Sequence, residues 1–279
     1  MKLDSLLLLI RIQLKIVRSR ILAYWGIYFT IAMVIFITWS QSIPNSQKMI
    51  ASFLQFNLVD NALNLVLMSP LYPTYFSLLP YIMGPVILLI LVDMIPTELM
   101  TGQLTVLKSS VSSLQRTYLI RYFLILVGFM LPHMIFWGLI HLINILVLGL
   151  EPQIFFDAII FSIFHYVFFT LIIFLFFSFC VLITFVFSFF FENQVLTSFL
   201  GIFLLILPEI CQSLLSGIGS DLLVSPTAIL SHLFYLGASI LKPMTITDQN
   251  AILGVIIFAI IILVFFGLFN RLLCNKDVY

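Results

Sequence analysis

The chain has 279 residues, of which 63% are apolar and only 8% charged, with a mean hydropathy of +1.24 and a formal net charge of +1. A soluble domain carries about 25% charged residues, so this chain holds too few to cover a water-facing surface, and it is an integral membrane protein. The net charge itself says nothing about nucleic acid, and there is no basic tail or basic–aromatic patch to suggest such a partner, so none is expected.

In chain order, the opening MKLDSLLLLI imitates a signal peptide. Its six apolar residues before Arg11 are too few for an h-region, and no small-residue cleavage site follows. Over 2–21, Asp4, Arg11, Lys15 and Arg18 share a narrow helical face, with Leu6, Ile10, Val17 and Ile21 roughly opposite. That pattern predicts an amphipathic helix over 1–21 in the inner interface, its basic face toward anionic headgroups.

A span needs about 20 apolar residues to cross a core of about 30 Å. Six are predicted, at 22–41, 75–95, 119–148, 158–190, 195–216 and 250–272, within a single transmembrane domain covering 1–279. The third and fourth exceed the core and are expected to tilt or protrude. The stretch 155–191 holds 15 of the 30 Phe residues and reads as a lipid-facing and interhelical packing surface. In the first outer loop, Asn57, Asp60, Asn61 and Asn64 form a polar stripe opposite Val59, Leu63 and Val66, which suits an outer interfacial helix better than a seventh span. Residues 217–249 open a helix at Pro226 and break at Gly237 and Pro243, an outer hairpin that dips back toward the membrane.

Lys and Arg set the orientation. With six spans both termini share a side, and Lys2, Arg11, Lys15, Arg18, Arg20, Lys108, Arg116, Arg121, Arg271 and Lys276 lie on it. Only Lys48 and Lys242 lie opposite. Both termini and the loop 96–118 are therefore expected in the cytoplasm of a multi-pass plasma-membrane protein.

That loop is about twenty residues of PTELMTGQLTVLKSSVSSLQR where four would connect two spans. Pro96 suits a first helical turn and Gly102 a C-terminal stop, so Thr97 to Thr101 are predicted to form a short helix with Glu98 near its positive end. A turn with Lys108 and Ser110 follows, then the capping box Ser112-x-x-Gln115 that starts the helix carrying Arg116 and Arg121 into the third span.

Taken together the chain resembles the permease subunit of a type-2 ABC exporter. The amphipathic first helix, the Glu98-x-x-x-Gly102 element after span two and the outer hairpin between spans five and six carry the resemblance. The pattern Glu98…Gly102…Leu107…Ser110-x-Ser112 fits the family's loop, with Ser110 where Pro is frequent, Ser113 where Arg is, and Ile120-Arg121 in place of Gly-Lys. The resemblance implies an all-α membrane fold of six spans in which the loop is a cytoplasmic coupling helix. Thr97, Glu98, Leu99, Thr101, Gly102 and Lys108 would then dock to a separate ABC ATPase that binds ATP and Mg. It further implies pairing with a second permease copy or paralogue, and outward movement of an amphipathic or hydrophobic cargo such as a peptide or drug. The chain itself carries no G-x-x-x-x-G-K-[ST] phosphate loop, so no cofactor is expected on it.

Ionisable groups inside spans are functional candidates by default. His133, Trp137 and His141 share a face of span three, and His165 and Glu209 lie at comparable depth on spans four and five, so these five are the candidate cargo path. Interhelical hydrogen bonding and interface anchoring compete with that role. Asp93 is expected at the inner boundary, solvated by headgroup water. The His residues lack metal spacing, and Cys180, Cys211 and Cys274 have neither metal nor disulfide spacing. A lipid-modifying membrane enzyme, built on Glu151, Asp157 and His165, and a non-transporting sensor or immunity protein are the alternatives. The topology has a direct test: a Ser220→Cys variant should react with an impermeant maleimide added outside intact cells, and labelling only from the cytoplasm would overturn it.

Overall fold

The computed structural model of the chain describes residues 3–54, 82–100, 114–147, 152–217 and 249–278, with side chains described within 6–34, 82–98, 114–139, 170–217 and 256–274. Every element there is an α-helix: α1 (Leu3–Leu54), α2 (82–91), α3 (Met94–Met100), α4 (Leu114–Val147), α5 (Pro152–Phe191), α6 (Gln194–Gly217) and α7 (Gln249–Val278). Among the described residues no strand occurs, and four helical segments are long and apolar enough to cross a membrane: Leu114–Phe136, Ile173–Phe191, Gln194–Leu215 and Ile256–Cys274. They overlap the third to sixth predicted spans. The polar stripe Asn57–Asn64, Ser112 of the capping box, and nearly all of the loop 101–113 and hairpin 217–249 lie outside the described residues.

Two boundaries differ from expectation. The amphipathic segment and the first span are not separate, because α1 runs unbroken for 52 residues, about 78 Å at 1.5 Å per residue. No Gly or Pro stands between Met1 and Trp25 to end a helix at 21. The short loop helix begins at Met94 rather than Thr97, directly after a two-residue turn at Val92 and Asp93, so α2 and α3 form one bent element. Pro96 still falls in its first turn, where a missing N–H costs nothing.

Contacts fix the helix directions. Gln13 meets Arg121, Ile21 meets Gly128 and Tyr28 meets His133, so α1 and α4 run parallel. Arg20 meets Asp93, and Arg121 joins Gln13 to Glu98, so α2 and α3 run back along α1. The α2 and α6 helices interlock antiparallel through reciprocal close approaches, Leu205 over Gly84 and Leu88 over Gly201, the small-residue packing that membrane interiors favour. α5 is central, with 78% of its apolar stretch buried against 17% for α6 and 22% for α7. Its aromatic rows meet α4 at Tyr118–Phe189 and α7 at Phe179–Phe258 and Phe189–Phe269. Within its described part, 170–191, the Phe-rich stretch is therefore largely interhelical packing, in line with the reading of its composition. A two-residue turn joins α5 to α6. Glu192 takes a left-handed φ of 53° and Asn193 Oδ1 accepts from the N–H groups of Val195 and Leu196, capping α6.

Gathered at the α3 end of the bundle are Arg11, Lys15, Arg18, Arg20, Arg116, Arg121 and Arg271, which are all the Lys and Arg whose side chains are described.

One joint ties α1 to α4. Pro132 lies inside α4 and has no N–H to give the carbonyl four residues earlier, that of Gly128. Trp25 Nε1 of α1 donates to that carbonyl at 2.8 Å, replacing the missing partner in a setting where an unmet carbonyl is costly. Gly128 also admits the Ile21 side chain, whose Cδ1 would stand 2.6 Å from an added Cβ. Trp25→Phe should therefore cost about 1–3 kcal/mol by leaving that half-buried carbonyl without a donor. In a Pro132→Ala background, where the backbone again supplies a donor, the same change should cost much less. Reversible unfolding in mixed micelles, run as a double-mutant cycle, measures both, and equal costs in the two backgrounds would refute the link.

Candidate coupling site

An arginine on an apolar helix must find acceptors inside the protein. Arg121, on the second turn of α4, is fully buried, and Glu98 of α3 is 5% exposed. Arg121 Nη1 donates to both carboxylate oxygens of Glu98 at 2.7 Å, and its Nε donates to Gln13 Oε1 of α1 at 2.9 Å. The Tyr118 hydroxyl, one turn before Arg121, donates to Glu98 Oε2, and the Arg121 guanidinium lies 4.7 Å from the Tyr118 ring centroid. Gln13 and Tyr118 are also fully buried. Three helices thus meet at one charge pair. Two donors at its edge, Arg121 Nη2 and Gln13 Nε2, are buried and unpartnered.

A second ion pair stands at the bend between α2 and α3. Arg20 of α1 grips the Asp93 carboxylate with both terminal nitrogens, Nη2 to Oδ2 at 2.7 Å, and Nη1 also donates to the Ile90 carbonyl at 2.7 Å. That carbonyl belongs to the last turn of α2, where acceptors lack helical partners. Asp93 was expected to rely on headgroup water, and it is instead held by Arg20, because the antiparallel packing of α1 and α2 brings position 20 beside the turn. Both side chains remain about a third exposed, so this pair is weaker than the buried one.

The geometry gives each half of the α3 element its own attachment: Asp93 at the bend before it, and Glu98 two residues before its end. Glu98 points into the bundle, while Thr97 is exposed. Of the other loop residues singled out by sequence, Leu99 is on α3 with its side chain outside the described set, and Thr101, Gly102 and Lys108 lie outside the described residues.

The candidate cargo path is not brought together by described contacts. His133 is buried among rings, 4.6 Å from Tyr28 and 4.9 Å from Phe177 between centroids, with its Nδ1 3.5 Å from the Tyr28 hydroxyl. This places it in the α1–α4–α5 core. Glu209 is half-buried on α6, next to Pro208. Trp137 and His141 are on α4 and His165 on α5, their side chains outside the described set. Among the described residues no three His, Cys, Asp or Glu side chains converge as a metal site.

Sequence reasoning missed Gln13, Arg20, Tyr118 and the role of Arg121. A signal was present: Arg121 sits in an apolar run, and such a charge needs a partner of opposite sign, of which Glu98 and Asp93 are the nearest in the chain. Comparison of the chain with known protein families, curated proteins and solved structures finds no match in any of the three.

Removing one member of a buried ion pair strands the other charge, which costs about 3–5 kcal/mol, whereas replacing both with apolar groups is far milder. Glu98→Ala should therefore destabilise the chain by that amount, and Glu98→Leu combined with Arg121→Met should recover most of it. Unfolding in mixed micelles checks this. A double variant as weak as the single one would mean that α3 is held by something else.

Proposed function

We propose that the chain is the permease subunit of an ATP-driven exporter of the type-2 ABC class, coupled to a separate ATPase through α3 and the loop after it. The observation that carries this reading is the seating of α3: a short helix outside the apolar spans, fixed by Glu98 to Arg121 of α4 and through it to Gln13 of α1. A mere connector needs no such anchoring. Alternating helix directions support a chain that crosses repeatedly, and the cations gathered at the α3 end support a cytoplasmic placement of that end.

The coupling works as follows. A partner engages the water-facing side of α3, where Thr97 is exposed, and the loop to Lys108. Movement of α3 pivots at Val92–Asp93, where Arg20 holds the bend, and displaces Glu98. Arg121 and Gln13 follow because a buried charge cannot be left behind without a cost of several kcal/mol. The parallel pair α1 and α4 therefore shifts as a unit, held by Trp25 on Gly128. Closure of two ATPases, each with its own ATP and Mg, biases the permease between inward-open and outward-open populations. A second permease copy or a paralogue completes the path. An amphipathic or hydrophobic cargo, peptide or drug-like, suits so apolar a set of spans.

Co-expression with neighbouring genes and gentle solubilisation should bring down a stoichiometric ATPase. Thr97→Arg, on the exposed face, should abolish the capture and leave the unfolding midpoint within about 0.5 kcal/mol of the parent, as surface changes do. A well-folded chain that never captures an ATPase would overturn the reading and favour the enzyme or sensor alternative.

A further inference from the structure

We propose that Arg121 and Gln13 together bind one buried water molecule, which completes the joint between α1, α3 and α4. The guanidinium of Arg121 is already engaged on three sides. Its Nη1 donates to both oxygens of Glu98, its Nε donates to Gln13 Oε1 at 2.9 Å, and the Tyr118 ring centroid lies 4.7 Å from its Cζ. Two donors are left over at the same place, Arg121 Nη2 and Gln13 Nε2. They belong to joined groups: on the planar guanidinium Nη2 shares an edge with Nε, and Nε is bonded to the Gln13 amide. Both side chains are completely buried, and donors buried in this way are met by protein acceptors or by ordered water.

Turning the Gln13 amide by half a rotation does not satisfy these groups. It would set the amide NH2 against the Nε–H of Arg121, donor against donor, and cost the one bond the amide now makes. The class of ligand follows from the donors and from charge. A cation is excluded, because Arg121 Nη2 and Gln13 Nε2 offer only N–H hydrogens. An anion would add a third charge where Glu98 and Arg121 already balance, and an uncompensated buried charge is costly. A neutral acceptor is left, and two donors suit the two lone pairs of a single water, the smallest such ligand. The water would tie α1 to α4 by a second route beside the Nε bond, with bonds nearly as favourable as direct ones. Because Arg121 is also what holds Glu98, this second tie supports the seating of α3. The site does not require an ATPase and stands or falls separately from the proposed function.

The test uses the full chain in mixed micelles, deuterated at carbon and carrying the heavy nitrogen isotope in its Gln side-chain amides, so that magnetic resonance reads those amides alone. The Gln13 resonance pair is the one lost in Gln13→Met; should that variant not fold, it is the pair displaced by Arg121→Lys. Cross-relaxation between water and the two Gln13 Nε2 hydrogens is then measured in the laboratory and rotating frames. A water held at the site should give a peak that reverses sign between the frames, whereas chemical exchange keeps one sign in both. At Gln194, which is exposed and meets only passing water, the peak should be nearly absent. It should persist at Gln13 in Tyr118→Phe, and its loss there would trace it to the tyrosine hydroxyl instead. Exchanging chloride for sulfate in the buffer should leave the Gln13 shifts unchanged. Absence of a sign-reversing water peak at the Gln13 amide would overturn the proposal. So would a saturable shift of that amide on adding chloride, which would make the ligand an anion.

Discussion

A fully buried guanidinium among apolar helices is tolerable only if acceptors reach it from other elements, and Arg121 draws in Glu98 from α3 and Gln13 from α1. That requirement places the N-terminal third of α1, the start of α4 and the short α3 at one point. Without it α3 would be a seven-residue helix, too short to persist alone, lying beyond the apolar stretches. With it, α3 is part of the bundle, and its exposed residues are presented on a fixed surface.

The other joints follow the same logic of unmet backbone and charge. Pro132 strands the Gly128 carbonyl, and Trp25 crosses from α1 to meet it. The bend after α2 strands the Ile90 carbonyl, and Arg20 meets it while pairing with Asp93. Each repair is made by α1, which stays attached along its inner face from Leu9 to Ala32 while presenting cations and leucines outward. Apolar packing contributes the bulk of the contact, chiefly the Phe rows of α5 against α4 and α7, but in lipid such packing is weakly directional. The polar joints set register and depth.

The exposed side of α3 and the exposed side of the N-terminal part of α1 lie at the same end of the bundle, joined through Gln13, Arg121 and Glu98 by a few buried hydrogen bonds.

Composition and hydropathy alone determined that this is a helical membrane protein, and they located its long apolar helices, because lipid admits only segments whose backbone bonds are internal. The distribution of Lys and Arg determined which end is basic. The loop after α2 was legible as a short helix from Pro96 and its flanking polar residues, and Glu98 stood out as its charge. What sequence could not supply was the direction in which Glu98 points. It was expected on a docking face, and it turns inward because Arg121, 23 residues later, is brought beneath it by the packing of α4. Gln13, Arg20 and Asp93 were equally silent: each is an ordinary polar residue near a helix end until antiparallel and parallel packing sets it beside a charge or a freed carbonyl. The pairing of α1 with α4 through Trp25 and Gly128 likewise spans 103 positions. Local pattern fixes which segments are helical and apolar, since that depends on neighbours within a turn or two. Which charges meet depends on how the helices pack, and that only the tertiary structure decided.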